Sequence, residues 1–125
     1  MIAADSSTWI AFLQGETSAD TEQLAQALRD RQLLMIPAVL TELLSDPKLP
    51  PDVAETLCEV PPAELGTTYW QRAGKLRAKV LAKDRRARLG DALIAQSCLD
   101  AGILLLTRDR DFRAFAEVAG LRLVP

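Results

Sequence analysis

The stretch covering residues 90–112 constrains the fold of this 125-residue chain more than any other. Apolar residues at helical spacing follow Asp91, and the pair Ala101-Gly102 is a typical signal for the end of a helix. Residues 103–106 are all apolar, which predicts a short strand that is buried on both faces. Thr107 then begins a run of polar and charged residues. A helix that leads directly into a buried strand is typical of a parallel α/β sheet.

The same alternation of strands and helices extends along the whole chain. Strands are predicted at residues 1–4, 33–36, 103–106 and 121–124, with a weaker edge strand near residues 60–62. Helices are predicted at residues 9–13, 18–31, 37–45, 52–59, 66–83, 91–101 and 112–118, the first of them capped by Ser6 or Ser7. This order predicts a single α/β domain over residues 1–125, with a central parallel β-sheet that is flanked by helices on both faces.

The chain contains no histidine, which narrows the chemistry that it can perform. Histidine general bases, His-containing catalytic triads and most zinc sites are excluded. Cys58 and Cys98 have no CxxC neighbour, which favours a reduced setting over a disulfide framework. No secretory signal pattern and no apolar run of membrane-spanning length is present, so we expect a cytoplasmic protein that does not engage a membrane.

Basic residues are concentrated in one part of the chain, although the net charge is only −2. Eight basic residues and a single acid, Asp84, lie between positions 72 and 88, whereas the other seven basic residues share the rest of the chain with sixteen acids. Such a basic stretch indicates an anionic partner at one face. Taken alone, it is equally well explained as the solvated face of a helix.

Four carboxylates follow or interrupt segments that are expected to be buried. Asp5 ends the first strand, Glu42 lies in an apolar helix, Asp91 begins the next-to-last helix, and Asp109 follows the strand at residues 103–106. Acidic side chains are rarely buried without a partner, and a hard divalent cation such as Mg²⁺ or Mn²⁺ is the economical partner here. Because Asp5 and Asp109 both follow buried strands, we expect them at the same edge of the sheet.

Each of these acids also has a simpler role open to it. Asp5 and Asp91 could cap helices, and Glu42 and Asp109 could be solvent-exposed charges. Asp111 stands between Arg110 and Arg113, which favours a solvated ion pair over a ligand. The joint pattern, rather than any single member, supports a metal site.

Four segments in this order and spacing resemble the PIN domain family and, more narrowly, the VapC-type toxins of bacterial and archaeal toxin–antitoxin pairs. They are DSSTWI at residues 5–10, LTELL at residues 40–44, GDALIA at residues 90–95 and LTRDRDF at residues 106–112. The resemblance covers the whole chain, including its length and its abrupt start. It implies a parallel sheet with flanking helices, and metal-dependent cleavage of RNA by an acidic quartet.

The resemblance also assigns roles by position. The catalytic quartet would be Asp5, Glu42, Asp91 and Asp109. Asp5, Asp91 and Asp109 would hold one or two Mg²⁺ or Mn²⁺ ions, with Glu42 and Asp111 as further candidate ligands. Ser7 (or Ser6) and Thr107 match supporting polar positions. Whether Asp111 assists Asp109 or replaces it stays open.

The expected partners follow from the same resemblance. The RNA backbone would contact Arg85, Arg86, Arg88 and Arg108. A cognate antitoxin would occupy a groove that includes Trp9, Phe12, Leu13 and the helix at residues 37–44, although these residues could equally be core. A homodimer, and a heterotetramer or larger assembly with the antitoxin, are expected.

Two other functions fit the same residues. A metal-dependent phosphatase acting on a small phosphoester would also use Asp5 at a strand end, but the aspartyl-phosphate class needs a second aspartate where this chain has Ser7. A module that binds a basic partner without catalysis would use the acids for recognition alone. Turnover of an aryl phosphate instead of RNA would separate the first of these from a nuclease.

Overall fold

The computed structural model describes all of residues 1–125 and contains three short strands and seven helices. In chain order they are β1 (Ile2–Ala4), α1 (Ser6–Leu13), α2 (Ala19–Arg29), β2 (Leu33–Leu34), α3 (Pro37–Leu44), α4 (Pro51–Glu59), α5 (Tyr69–Ala82), α6 (Leu89–Ala101), β3 (Leu104–Leu106) and α7 (Phe112–Ala119). The alternation predicted from the sequence is therefore present.

The three strands form one parallel sheet in the order β2-β1-β3. Ile2 pairs with Leu33 on one side and with Leu104 on the other, and Ala4 pairs with Leu106. Single parallel bridges, between Met35 and Pro62 and between Leu105 and Leu123, extend the sheet at its two sides. The strands expected at residues 60–62 and 121–124 are thus reduced to one bridge each.

Helices cover both faces of this sheet, as predicted. Consecutive residues of a strand point to opposite faces, and Ala3, Ala4, Leu105 and Leu106 are all buried. These residues belong to a single cluster of 26 buried apolar residues. A sheet that is buried on both faces shows continuous apolar runs instead of alternation, which is why its strands are recognisable in the sequence.

Several boundaries differ from the predicted ones for local reasons. Asp5, and not Ser6 or Ser7, caps α1, because β1 ends at Ala4 and the helix follows at once. The second strand is two residues long, because Ile36 is already the N-cap of the helix that begins at Pro37. The helix expected to begin at Gly66 begins at Tyr69, after Thr68 in a left-handed conformation.

Helices α5 and α6 form an antiparallel hairpin that fixes the basic loop at residues 83–88. The Tyr69 hydroxyl donates to the carbonyl of Leu93 at 2.6 Å, and Arg77 Nε donates to the carbonyl of Ala87 at 2.8 Å. Helix α6 begins at Leu89, two residues before the predicted start, so Asp91 lies within its first turn and is not its N-cap. No helix of the structure has the length and apolar composition that crossing a membrane requires.

Candidate metal centre

The neighbouring strands β1 and β3 end side by side and bring two polar residues together. Ala4 pairs with Leu106, and the next residues along the chain are Asp5 and Thr107. The backbone N–H of Asp5 donates to the carbonyl of Leu106 at 3.1 Å, which continues the pairing by one step. The side chains of Asp5 and Thr107 therefore meet at the carboxyl edge of the sheet, where ligands bind in open parallel sheets.

Hydrogen bonds hold the Asp5 carboxylate in a fixed orientation. Its Oδ1 accepts from Ser7 Oγ at 2.7 Å and from the backbone N–H of Thr8 at 3.2 Å, and its Oδ2 accepts from Thr107 Oγ1 at 2.6 Å. Burial raises the pKa of Asp5, whereas the bonds from Thr107 and Ser7 oppose that rise. Ser7 and Thr107, both predicted as supporting residues, thus act directly on this carboxylate.

The loop after β3 places Asp109 and Asp111 next to each other. Thr107 Oγ1 accepts the backbone N–H of Asp109 at 2.9 Å, and Asp109 Oδ1 accepts the backbone N–H of Asp111 at 2.9 Å. These local turns are typical of Thr and Asp side chains. They set the directions of both aspartates immediately before α7.

The first turn of α6 adds a third carboxylate to this pair. One oxygen from each of Asp91, Asp109 and Asp111 lies within 4.8 Å of the others. Burial, followed by the charge of Asp109, raises the pKa of Asp91 to about 6, and Arg88 opposes that rise. Asp91 Oδ2 is buried and has no hydrogen-bond partner. A buried carboxylate oxygen without a hydrogen-bond partner destabilises the folded state. A bound cation would remove this penalty and would reduce the repulsion among the three carboxylates.

The donor set fits a hard divalent cation. Mg²⁺ and Mn²⁺ prefer carboxylate oxygens, and the three aspartates present oxygens close enough together to share one ion. The sequence left Asp109 and Asp111 as alternatives, but the structure brings both to Asp91. In the sequence, the signal for Asp111 is its position two residues after Asp109, directly before a helix, whereas its arginine neighbours favour an ion pair.

Asp5 and Glu42 lie outside this compact group of three. Asp5 is nevertheless close to it, since the charge of Asp109 helps to raise the pKa of Asp5 and the charge of Asp5 helps to raise the pKa of Asp91. Glu42 is exposed on α3, and a β-carbon placed on Gly90 would lie 3.9 Å from Glu42 Oε1. Glu42 is therefore at the rim of the site, beside the residue that precedes Asp91.

The four arginines predicted to contact RNA are not equivalent. Arg86 Nη1 lies 3.8 Å from Asp111 Oδ2, and Arg88 is close enough to lower the pKa of Asp91. Arg85 pairs with Glu117 on α7. Arg108 is bound to Glu16 and Asp20 and is 35% exposed. Of the four predicted arginines, Arg86 and Arg88 are thus the ones next to the acids, whereas Arg108 is engaged with Glu16 and Asp20.

Comparison with known proteins agrees with this geometry. No curated protein matches the chain. Residues 2–118 match the family model of the PIN domain. PIN domains are typically metal-dependent nucleases, and the cluster of Asp91, Asp109 and Asp111 is an acidic group that such a nuclease can use. Because the match spans nearly the entire length, the chain belongs to the PIN domain family.

Proposed function

We propose that this chain is a divalent-metal-dependent endoribonuclease and the toxin of a VapBC-type toxin–antitoxin pair. The observation that carries the nuclease part is the convergence of Asp91, Asp109 and Asp111 beside Asp5, in a chain without histidine. The choice of RNA as substrate is supported by the motifs that resemble VapC-type toxins, at residues 5–10, 40–44, 90–95 and 106–112.

The ion would be held by Asp91, Asp109 and Asp111. Asp5 would complete the ligand set, because its three hydrogen-bond donors leave lone pairs of its carboxylate free. When bound, a Mg²⁺ or Mn²⁺ ion supplies Lewis-acid activation of water and neutralises charge on the phosphodiester. Thr107 and Ser7 orient the Asp5 carboxylate. Glu42, exposed at the rim, is free to accept a proton from water that enters the site.

Arg86 and Arg88 are the residues best placed to bind the RNA backbone next to the acids. Arg86 is close to Asp111, and Arg88 is close enough to act on Asp91, while both side chains stay exposed. Their charges offset the repulsion that an acidic cluster exerts on a phosphate. Contacts of this kind are sequence-blind, so the target and cut site must be selected by other features.

Cleavage of RNA by the purified chain, free of any partner protein, tests the proposal. Activity should require Mg²⁺ or Mn²⁺, be abolished by EDTA, and be absent on aryl phosphates. Asp91→Asn and Asp109→Asn should each lower kcat by about 100-fold or more, beyond the loss typical of residues that only support ligands. Asp111→Asn should have a comparable effect, since Asp111 belongs to the same compact group.

Asp30→Asn is the matched control. Asp30 ends α2 just before β2 and therefore lies at the opposite edge of the sheet, where it bonds only to Gln26. Its replacement should leave cleavage unchanged. Undiminished cleavage in Asp91→Asn, or equal cleavage with and without EDTA, would show that the acids do not perform metal-dependent hydrolysis.

An apolar groove next to the site supports the antitoxin part of the proposal. Ile10 and Leu13 are 46% and 37% exposed on α1, and with Leu49 and Val53 they line a cavity of about 430 Å³. Glu42 lies on its wall, so the groove reaches the rim of the acidic site. Of the residues predicted for the groove, Trp9 is almost fully buried and contributes mainly to the core.

The groove suits an amphipathic helix that carries a basic residue toward Glu42. We propose that a cognate antitoxin supplies this helix, that the toxin is a cytoplasmic homodimer, and that the pair assembles into a heterotetramer or larger complex. Co-purification with the product of a neighbouring gene should be lost in Ile10→Glu, because the new charge would be buried on binding. An unaltered complex in that variant would contradict the proposed docking site.

A further inference from the structure

Arg108 makes the most extensive side-chain contacts in the loop after β3. Its Nε and Nη2 donate to the two oxygens of Asp20, each at 2.8 Å, in a bidentate pair. Nη1 donates to Glu16 at 2.9 Å, and Nη2 donates also to Ser18 at 3.1 Å. All of these acceptors lie in the α1–α2 connection or the first turn of α2, far from Arg108 in the sequence.

Asp20 is itself held from the other side. Its Oδ1 accepts from Ser18 Oγ at 2.6 Å, and its Oδ2 accepts from Thr8 Oγ1 at 3.1 Å. Its side chain is only 16% exposed, and that of Arg108 is 35% exposed. Arg108 keeps the pKa of Asp20 well below its usual range. An isolated ion pair on the surface contributes little to stability. The pair of Arg108 and Asp20 is bidentate, partly shielded from solvent and joined by further donors, so we expect it to contribute more.

Together with the Asp5 carboxylate, these contacts form a closed ring. Thr8 donates its backbone N–H to Asp5 Oδ1 and its hydroxyl to Asp20. Asp20 binds Arg108, and Arg108 is joined by a peptide bond to Thr107. Thr107 Oγ1 donates to Asp5 Oδ2. Each oxygen of Asp5 is thus attached to one end of a continuous path that runs through Asp20 and Arg108.

We infer that Arg108 and Asp20 form a positioning clamp, which holds the loop of residues 107–111 against α1 and so sets the distance between Asp5 and the group formed by Asp91, Asp109 and Asp111. The inference deepens the proposed nuclease site and rests on it. Neither residue belongs to the group of three aspartates, and both would act through Thr107 and Asp109. Connections of this kind to a metal ligand affect metal affinity by about 10–100-fold.

Mn²⁺ binding without RNA is the first test, measured by isothermal titration calorimetry on the full chain. Asp20→Asn should weaken Mn²⁺ binding by about tenfold, the lower end of the range for residues behind a ligand. Arg108→Lys should weaken it as well, because an ammonium retains the charge but cannot bind both oxygens of Asp20. Glu22→Gln is the matched control, since Glu22 is an exposed acid in the same helical turn with no bond to Arg108.

Steady-state kinetics separates the clamp from a direct contact between Arg108 and RNA. The clamp predicts that Asp20→Asn and Arg108→Lys both lower kcat and leave the KM for RNA unchanged, with thermal unfolding above the assay temperature. A direct RNA contact predicts that Arg108→Ala raises KM while Asp20→Asn has no effect. The second result would overturn the clamp.

Amide hydrogen exchange decides the question without metal or activity. The N–H groups of Asp109 and Asp111 donate within the loop, and Asp20→Asn should accelerate their exchange by about tenfold relative to Glu22→Gln. Equal exchange rates in the two variants would overturn the clamp. A wild-type protein that binds Mn²⁺ but does not cleave RNA would instead overturn the proposed function and leave the clamp intact.

Discussion

At the scale of single residues, Asp91 shows how the group of acids affects the stability of the folded protein. Its Oδ2 is buried without a hydrogen-bond partner, and Asp109 and Asp111 lie close to it. Burial and these neighbours raise its pKa to about 6. In metal-free protein the ionised form of Asp91 is therefore less favourable in the folded state than in the unfolded state. The close approach of these acids to Asp91 therefore destabilises the metal-free protein near neutral pH.

Asp91→Asn should consequently stabilise the metal-free protein near neutral pH. Because folding raises the pKa of Asp91, its contribution to the free energy of unfolding is fully present below the unfolded pKa of 3.8. That contribution is lost as the pH rises through the folded pKa of about 6. Because asparagine cannot ionise, Asp91→Asn should gain about 1–2 kcal/mol in unfolding free energy at about pH 7.5, after allowance for partial exposure. The gain should disappear below about pH 4.

Urea denaturation in EDTA at several pH values measures this difference. Asp30→Asn, at the opposite edge of the sheet, should change stability by less than about 0.5 kcal/mol throughout. A loss of stability in Asp91→Asn at neutral pH would mean that the Asp91 carboxylate has a stabilising partner in the metal-free protein. That result would remove the electrostatic argument for a cation at this position.

At the scale of secondary-structure elements, the N-termini of helices place three of the acids of the candidate site. Asp5 caps α1, Asp91 lies in the first turn of α6, and Asp111 is the N-cap of α7. Anionic groups are favoured at these positions by the helix dipole. The simpler role considered from the sequence for Asp5, a helix cap, is therefore real and compatible with a ligand role, since a capping carboxylate keeps lone pairs free.

The end of α6 provides an element-scale prediction. Gly102 adopts φ +66° and leads the chain into β3, and a β-carbon there would meet no atom within 4 Å. Gly102→Ala should therefore destabilise the protein by about 1–2 kcal/mol through backbone conformation alone. Gly74→Ala, inside α5 and also without a contact within 4 Å, should stabilise it by about 0.5–1 kcal/mol.

Thermal or chemical denaturation of the two glycine variants, side by side, gives the comparison. The substitutions are chemically identical and differ only in backbone conformation. Similar effects of the same sign would show that the left-handed turn at Gly102 relaxes when alanine is introduced, so that the turn does not depend on glycine.

At the scale of the whole molecule, charge is segregated around the acidic site. The carboxylates converge at one edge of the sheet, and the basic loop at residues 83–88 leads directly into α6, which carries Asp91. Arg85 is anchored to Glu117, which fixes the loop against α7 and leaves Arg86 and Arg88 exposed beside the acids. On the proposed function, this arrangement would attract an RNA strand to the edge at which it would be cut.

Salt dependence of RNA binding tests this arrangement. In metal-free buffer, Arg86→Gln and Arg88→Gln should each weaken binding of single-stranded RNA and reduce the slope of log affinity against log salt by about 0.7. Arg29→Gln is the control, because Arg29 is exposed at the end of α2, at the opposite edge of the sheet. Fluorescence anisotropy provides the affinities, and an equal effect of Arg29→Gln would indicate attraction by overall charge only.

Much of this protein is encoded locally and could be predicted from the sequence. Buried parallel strands appear as continuous apolar runs, and Pro37 and Gly102 mark a helix start and a helix end. Strand ends followed by aspartate identified Asp5 and Asp109, because parallel strands in one sheet end at one edge. Glu42 and Asp91 were recognisable as acids that interrupt or begin apolar helices, and the family resemblance gave all four acids a role by position.

Tertiary structure decided which of these side chains meet. Asp111 joins Asp91 across a separation of 20 residues, Thr107 bonds to Asp5 across 102, and Arg108 turns to Asp20 across 88. Glu42 stays at the rim. The local sequence around Arg108 is the same whether it faces RNA or Asp20, since its direction depends on acceptors presented by a distant helix. Sequence thus determined the elements and the edge where the chemistry lies, whereas long-range hydrogen bonds and burial selected the carboxylates that share one site.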